Sequence, residues 1–317
     1  MYKVLVTRKI SDKAIGLLKE RFEVVVFDQD RAMTSKELLQ EARDCDAVLT
    51  QLSDKINASF LEACPKVKVI ANYAVGYDNF DVEYAKGKGI VLTNTPDVLS
   101  ETTAELAIAL LFATTRRIGE AERYLRGGHW QQFSPELLLG QDVNRKTIGV
   151  LGAGRIGRAF VKKLSGFEPR WIYHNRHRDE LFEKKYGVEW VDFESLIENS
   201  DILSIHVPLT EATRHMIGKT EFKKMKKNAI IINTARGAVI DEEALANAIE
   251  RGLIWGAGLD VFEDEPQVNP KLIASERVVL TPHIGSASQE TREKMAVLAA
   301  ENIIEVLNDR RPLTPVY

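Results

Sequence analysis

The sequence predicts an α/β protein built from two doubly wound parallel-sheet domains. Short apolar strands alternate with helices over the first hundred residues, and a second alternating set begins at Thr147. A glycine-rich turn joins the first strand of that second set to a helix. Strands interleaved with helices favour a parallel sheet with helices on both faces. The length of 317 residues accommodates two such domains.

The first part of the chain is predicted to form one sheet. Its predicted strands are Lys3–Thr7, Glu23–Phe27, Ala47–Thr50, Val67–Ala71 and Ile90–Thr93. Two predicted helices, Asp12–Arg21 and Ser35–Ala42, separate the first three strands. A longer helical run extends from about Ser100 to Arg126, where Gly127-Gly128 is the expected stop. A helix of this length is expected to cross from one domain to the next.

The second part of the chain is predicted to form the other sheet, with six strands. They are Thr147–Leu151, Arg170–Tyr173, Ile202–His206, Ala229–Asn233, Gly256–Asp260 and Val278–Leu280. Six is the number of strands in a complete doubly wound dinucleotide-binding sheet. An amphipathic helix over about Gln289–Asn308 follows the sixth strand, and we expect it to pack back on the first domain.

Composition and charge exclude several classes of protein. Hydrophobic residues make up 44% of the chain and charged residues 28%, as in an ordinary soluble globular enzyme. The net charge of −3 argues against a basic surface that would bind nucleic acid. No apolar run approaches the roughly 20 residues that span a bilayer, and the six histidines form no metal-binding pair. Cys45 and Cys64 have no zinc or C-x-x-C spacing, so we expect reduced thiols in a cytoplasmic protein without a signal peptide.

A glycine fingerprint marks the turn after the strand Thr147–Leu151. Gly152, Gly154 and Gly157 have G-x-G-x-x-G spacing, and a predicted helix from Arg155 to about Leu164 follows. The first glycine permits a tight turn, the second lets backbone approach a pyrophosphate, and the third lets helix pack on strand. The free N–H groups of the helix N-terminus favour phosphate. The turn therefore predicts a dinucleotide site, and the alternative is a glycine-rich structural turn.

The segment after the second strand of this sheet bears on the choice of cofactor. A ribose-binding acid is usual about 20 residues beyond the glycines, but here no carboxylate comes before Asp179. Arg176 and Arg178 stand in that segment instead, and both can pair with a 2′-phosphate by charge-assisted hydrogen bonds. We therefore predict a preference for NADP, with NAD as a possible cofactor. The alternative is a solvated basic loop that does not contact cofactor.

Three polar side chains lie just past the ends of predicted strands in the second sheet. They are Arg236, Glu265 and His283. Ligands of open α/β sheets bind outside the carboxyl ends of the strands. This shared placement favours one site over three unrelated surface residues.

Several motifs in order carry a resemblance to a known family. They are GAGRIG at 152–157, HVPLTEAT at 206–213, NTARG at 233–237, LDVFEDEP at 259–266 and TPHIGS at 281–286. The chain resembles the D-isomer-specific 2-hydroxyacid dehydrogenase family over essentially its whole length, and it is most similar to the glyoxylate/hydroxypyruvate reductase branch. The resemblance implies a Rossmann cofactor domain, residues 100–286, inserted in a flavodoxin-like substrate domain, residues 1–99 and 287–317.

The resemblance also implies a catalytic set of Arg236, Glu265 and His283. The expected reaction is NAD(P)H-dependent reduction of a small 2-keto acid to the D-2-hydroxy acid. The planar donors of Arg236 suit a carboxylate and the adjacent carbonyl oxygen. His283, as imidazolium, is expected to donate a proton to that oxygen, and Glu265 to hold the ring and favour its charged form. In the reverse direction neutral His283 is the base.

Further site residues are implied by the same resemblance. The expected cofactor contacts are Gly152, Gly154, Arg155, Ile156, Gly157, Asn175, Arg176, Arg178, His206, Val207, Pro208, Thr103, Thr234, Ala235 and Asp260. The expected substrate contacts are Leu52, Val75, Gly76, Arg236 and His283. Backbone N–H groups of Val75 and Gly76 can bind a carboxylate without any side chain. No metal is expected. A homodimer is expected, with Trp130 and Phe133 as candidate interface residues.

The sequence leaves two alternative functions open. The first is a phosphoglycerate-type dehydrogenase, although such proteins have an arginine in the loop where this chain has Asn72. The second is a non-enzymatic NAD(P)-sensing protein of the corepressor kind, which can retain the catalytic set. The preferred keto acid is also open, because one methylene in a pocket is worth only about 1–3 kcal/mol.

Overall fold

The computed structural model describes all 317 residues and divides the chain into two compact units, Met1–Leu99 with Ser286–Tyr317 and Ser100–Gly285. The strands are β1 Lys3–Val6, β2 Glu23–Val26, β3 Ala47–Thr50, β4 Val69–Asn72, β5 Val91–Thr93, β6 Thr147–Leu151, β7 Arg170–His174, β8 Glu189–Trp190, β9 Ile202–Ile205, β10 Ile230–Asn233, β11 Gly256–Leu259 and β12 Val278–Leu280. The helices are α1 Asp12–Lys19, α2 Ser35–Ala42, α3 Ala58–Ala63, α4 Val82–Lys88, α5 Ser100–Thr115, α6 Ile118–Arg126, α7 Arg155–Leu164, α8 Glu180–Tyr186, α9 Phe193–Asn199, α10 Lys219–Lys224, α11 Glu242–Glu250, α12 Pro270–Ala274 and α13 Gln289–Leu307.

The first unit contains a five-stranded parallel sheet in the order β2-β1-β3-β4-β5. This is the flavodoxin-like strand order, in which ligand sites lie beyond the carboxyl ends of the strands. Thr50 at the end of β3 pairs with Asn72 at the end of β4, so the loops after these two strands are neighbours. Helix α13 packs on α1 and β4 of this unit, which confirms the prediction for the last helix.

The second unit contains a seven-stranded parallel sheet in the order β12-β11-β10-β9-β6-β7-β8. When the strands of this unit are numbered 1 to 7 along the chain, their order is 3-2-1-4-5-6-7. This is the Rossmann order 3-2-1-4-5-6 with β12 added at one edge. The predicted α/β architecture of two parallel sheets is confirmed. The prediction of six strands was wrong by one, because β8 has only two residues, too few to show a period of two.

The long helix predicted from Ser100 to Arg126 is two helices. Arg117 between them has a left-handed φ of 54°, which breaks the helix. Its guanidinium bonds both carboxylate oxygens of Glu120 at 2.7 and 2.6 Å, so the break is held by a local ion pair. Neither helix crosses between units, since both belong to Ser100–Gly285. The stop at Gly127-Gly128 is confirmed, with Gly128 at a φ of +72°.

The interior of each unit is apolar. The first unit buries a cluster around Leu5, Val48 and Ile70 on one side of its sheet and residues such as Val4 and Val69 on the other, and the second unit buries a cluster on each side of its sheet. Cys45 and Cys64 are buried free thiols, and burial raises the pKa of both to about 11, which disfavours the reactive thiolate. None of the helices has the length and apolar composition needed to cross a membrane.

Candidate active site

The glycine-rich turn closes tightly against the end of β9. Gly152 has a φ of +95°, and a Cβ at this position would lie 2.8 Å from the backbone of His206 and Val207. A Cβ on Gly157 would lie 2.3 Å from the carbonyl oxygen of Gly152, so only glycine lets α7 approach β6 this closely. The turn therefore lies where β6 and β9 meet, which is the point where the strand order reverses.

The structure leaves room for a phosphate group above α7. A Cβ on Gly154, the residue that precedes the helix, would meet nothing within 4 Å. No acidic side chain occupies the first turn of α7, so the partial positive charge of the helix N-terminus is not neutralised. Near the end of β10, the Oγ1 atom of Thr234 is buried and has no hydrogen-bond partner. The open space at Gly154 and the unsatisfied buried hydroxyl of Thr234 both fit a bound dinucleotide.

Asn175 braces the glycine-rich turn. Its Oδ1 accepts a hydrogen bond from the N–H of Ala153 at 2.8 Å, and its backbone oxygen accepts from Nε1 of Trp190 at 3.2 Å. The side chain therefore ties the end of β7 to the turn. The side chain of Asn175 thus contacts protein backbone. Its expected role as a cofactor contact stays a prediction.

The two arginines after β7 differ in their surroundings. Arg178 bonds Glu183 through Nε and Nη2, at 2.8 and 2.7 Å, and this bidentate pair raises the pKa of the guanidinium and lowers that of the carboxyl. Arg176 is exposed and takes part in none of the ion pairs. Of the two, only Arg176 is available for a 2′-phosphate without breaking an existing pair.

Asp179, the first carboxylate after β7, is occupied by protein groups. It accepts the N–H of Phe182 at 2.9 Å as the cap of α8, and it also pairs with Arg158 of α7. These hydrogen bonds lower the pKa of Asp179. The carboxylate therefore caps a helix and does not stand free as a ribose acceptor.

His206 follows β9 and lies behind the glycine-rich turn. Its ring lies 5.4 Å from that of Phe160, and its Nε2 is 2.9 Å from the hydroxyl of Ser204. Burial lowers the pKa of His206 to about 3, so the imidazole is neutral at physiological pH. The next residue, Val207, packs on the core, and Pro208 is exposed.

His283 and Glu265 form a hydrogen-bonded pair. The Nδ1 atom of His283 lies 2.7 Å from Oε2 of Glu265, whose Oε1 accepts the N–H of Phe262 at 3.1 Å. Burial by itself would raise the pKa of Glu265, but the hydrogen bond and charge of His283, with the Phe262 N–H and the charge of Arg236, lower it below its usual value. Ionised Glu265 accepts a hydrogen bond from the Nδ1–H of His283, so Nε2 is the ring nitrogen left for proton exchange.

The other acidic residues of this loop do not bond His283. Glu263 lies 2.6 Å from His215 and 3.4 Å from Arg214, and Asp264 is exposed. Glu265 is therefore the carboxylate that the loop presents to the imidazole.

Close backbone packing brings Arg236 to the same region. Arg236 follows β10, and a Cβ on the next residue, Gly237, would lie 1.9 Å from the carbonyl carbon of Phe262. The amide of Asn233 holds the loop by donating to the backbone oxygen of Arg236 at 2.9 Å and accepting from the N–H of Ala235 at 3.0 Å. The charge of Arg236 contributes to the lowered pKa of Glu265, so the three predicted catalytic side chains lie together in one unit.

Asp260 holds the loop on which His283 lies. Its carboxylate is fully buried and accepts the hydroxyl of Thr281 at 2.6 Å and the N–H groups of Ile284 and Gly285, each at 2.8 Å. Burial raises its pKa against the opposing effect of these hydrogen bonds. A Cβ on Gly285 would lie 3.4 Å from Thr103 of α5, so that residue borders the same loop. His283 itself has a left-handed φ of 51°.

The expected substrate contacts of the first unit lie in neighbouring loops. Leu52 follows β3, and Val75 and Gly76 follow β4. The amide of Asn79 joins these loops by donating to the backbone oxygen of Gln51 at 3.2 Å and to that of Asp54 at 2.9 Å.

One residue that supports the Glu265 loop was not predicted from the sequence. Glu242, at the start of α11, accepts the N–H of Glu263 at 2.9 Å and that of Asn269 at 2.8 Å. It therefore braces both ends of the loop. An acid in the first turn of a helix ordinarily indicates only a favourable dipole interaction, so no local pattern pointed to this contact.

The chain is similar to proteins of one family in sequence and in structure. Residues 108–285 match the family model of the D-isomer specific 2-hydroxyacid dehydrogenase NAD binding domain. A glyoxylate reductase of Korarchaeum cryptofilum is 48% identical over 304 residues, covering 95% of this chain and 92% of that protein. Among solved structures, the TT0316 protein from Thermus thermophilus has a TM-score of 0.94 at 42% identity, covering 99% of this chain and 100% of that one. An NADPH-dependent glyoxylate/hydroxypyruvate reductase from Sinorhizobium meliloti, in complex with NADP and malonate, has a TM-score of 0.86 at 34% identity, covering 99% and 96%.

The fold and the relatives are those of an oxidoreductase that uses a nicotinamide dinucleotide. Residues 108–285 match the family model, and the relatives match along nearly the whole chain. The chain belongs to the D-isomer-specific 2-hydroxyacid dehydrogenase family.

Proposed function

We propose that this protein reduces glyoxylate or hydroxypyruvate to the D-2-hydroxy acid with NAD(P)H, and that His283 is the proton donor. The pair of His283 and Glu265 at 2.7 Å, with the charge of Arg236 beside it, is the observation that carries the proposal. The reductases among the relatives and solved structures support the class of substrate.

The proposed mechanism assigns one task to each side chain. Bound NAD(P)H supplies a hydride to the carbonyl carbon. Arg236 binds the carboxylate and polarises the carbonyl, because its planar donors match both oxygens. His283 delivers the Nε2 proton to the oxygen as negative charge builds there, and Glu265 stabilises the imidazolium that is required.

We propose that residues 100–286 bind the dinucleotide and that residues 1–99 with 287–317 form the substrate domain. The open space at Gly154, the glycine packing at Gly152 and Gly157, and the unsatisfied hydroxyl of Thr234 support the first assignment. We propose that Leu52 and the N–H groups of Val75 and Gly76 contact the substrate. Arg155, Ile156, Val207, Pro208, Ala235, Asp260, Thr103 and Asn175 are proposed as further contributors to the cofactor site.

We propose that NADP is preferred over NAD through Arg176. This arginine is exposed and unpaired, and Asp179, the first carboxylate after β7, caps α8 and pairs with Arg158. The relative from Sinorhizobium meliloti, which is NADPH-dependent, supports this preference.

We propose a homodimer formed through the second unit. Helix α6 has no buried residue, and it exposes Ile118 and Leu125 seven positions apart on one face. The following segment exposes Trp130, Phe133 (82% exposed) and Leu139. Contiguous exposed apolar residues mark protein interfaces. Light scattering of the purified protein tests the dimer, and the two buried free thiols support a reducing, cytoplasmic location.

The decisive test is a matrix of keto acids against NADH and NADPH, run with the wild-type protein and with His283→Ala. We expect turnover of glyoxylate and hydroxypyruvate, and a loss of at least about 10²-fold in kcat in the variant, since general acid catalysis contributes about 10²–10⁴. The affinity for NADPH should change little. Near-normal turnover by His283→Ala would exclude this residue as the proton donor, and a wild-type protein that binds NADPH without turnover would indicate a sensing protein instead.

A further inference from the structure

Three successive carbonyl groups in the loop after β4 accept hydrogen bonds from the protein. The oxygen of Ala74 accepts the N–H of Thr95 at 2.8 Å. The oxygen of Val75 accepts Nδ2 of Asn94 at 2.7 Å, and the oxygen of Gly76 accepts Nδ2 of Asn72, also at 2.7 Å. Two of these three donors are side-chain amides, Asn72 at the end of β4 and Asn94 just after β5.

The orientation of these carbonyls determines where the N–H groups point. In a trans peptide the C=O and the following N–H lie on opposite sides of the chain. The N–H groups of Val75, Gly76 and Tyr77 therefore point away from Thr95, Asn94 and Asn72 respectively. None of the three donates to a protein acceptor, and Val75 and Gly76 are only half-buried. The loop thus offers unsatisfied N–H donors, which is the requirement for binding an anion.

The amide of Asn72 and the backbone of Asn94 are themselves held by hydrogen bonds. Asn72 is fully buried, with Oδ1 accepting the hydroxyl of Thr50 at 3.2 Å and Nδ2 also donating to Oδ1 of Asn79 at 3.2 Å. Asn94 is fixed through its backbone, because its oxygen accepts the hydroxyl of Thr314 at 2.6 Å. Rotating either amide would leave the carbonyl of Gly76 or Val75 without its donor.

We propose that Asn72 and Asn94 are positioning residues for the substrate carboxylate. They hold two carbonyls away from the ligand side of the loop, so that the carboxylate meets N–H donors and no opposing oxygen. This inference rests on the proposed function and adds two residues to it. Neither amide touches the substrate, and both act through the backbone of Val75 and Gly76.

Asn72→Leu and Asn94→Leu test this role, because each removes the amide donor at similar volume without adding charge. We expect the KM for glyoxylate to rise about tenfold in each variant, with a smaller change in kcat and an unchanged Kd for NADPH. Thr115→Val is the control: Thr115 is also fully buried, and its hydroxyl donates to the oxygen of Leu111 within α5, in the second unit. The control removes a buried donor as the test variants do, but should leave KM within twofold.

Binding of oxamate, an unreactive carboxylate analogue, separates positioning from turnover. In the presence of NADPH we expect its Kd to rise about tenfold in both test variants, measured by calorimetry. In the wild-type protein, oxamate should shift the amide proton resonance of Gly76, a measurement that needs no variant to fold. Folded test variants that keep the oxamate Kd within twofold, or a Gly76 resonance that oxamate does not move, would overturn the inference. Failure of the wild-type protein to reduce glyoxylate would refute the proposed function separately.

Discussion

Replacing Glu265 with Gln should lower kcat/KM for reduction by about tenfold. The substitution keeps the size of the side chain and a hydrogen-bond acceptor for Nδ1 of His283, but it removes the negative charge. In the proposed reaction the imidazolium donates the proton, and the charge of Glu265 stabilises the positive ring. Without that charge, reduction should be slower.

The geometry of the pair sets the size of this loss. Unit charges 2.7 Å apart attract by about 1.5 kcal/mol in water and by about 6 kcal/mol at an effective dielectric constant near 20. The side chains of His283 and Glu265 are 32% and 35% exposed, so solvent screening favours the lower value. Since about 1.4 kcal/mol corresponds to a factor of ten in rate, a loss of roughly tenfold in kcat/KM is expected.

The assay is kcat/KM for glyoxylate with NADPH at one fixed pH, for the wild-type protein and the variants. Glu263→Gln is the control, since Glu263 lies in the same loop but pairs with His215. A Glu265→Gln variant with the wild-type kcat/KM, or a loss of equal size in Glu263→Gln, would refute this reasoning.

Three further outcomes follow from the site. Arg236→Lys should raise KM for the keto acid and lower kcat together, since a lysine keeps the charge but loses the planar pair of donors; a change confined to cofactor affinity would contradict the role. Arg176→Ala should raise KM for NADPH and leave KM for NADH nearly unchanged, whereas Arg178→Ala should have the smaller effect because that side chain is already paired; a wild-type enzyme that prefers NADH would refute the preference. Gly237→Ala should lower Tm and activity, because its Cβ would lie 1.9 Å from the backbone of Phe262, and calorimetry that gives an unchanged Tm would count against this packing.

The sequence by itself determined the class of fold and the order of the elements. Alternation of apolar strands and helices is a local property, and strands such as β6 and β12 were predicted with their observed bounds. The glycine fingerprint is also local, because a positive φ at Gly152 and close packing at Gly157 permit no other residue. Helices α3 and α4, of six and seven residues, were missed because they are too short to show a clear period.

Only the tertiary structure decided which partner each polar side chain has. Arg176 and Arg178 look equivalent in the sequence, yet a carboxylate five residues further on engages Arg178 alone. The bend at Arg117 was equally hidden, because nothing in the local composition excludes a continuous helix there.

The same limit applies to the residues that support the site. The amides of Asn72 and Asn94 orient one loop from the ends of two strands, and Glu242 holds a loop 21 residues away in the chain. Hydrogen bonds between distant segments depend on strand order and register, which bring together groups that the sequence separates. Local pattern therefore predicts where a site can form, and long-range pairing decides which atoms complete it.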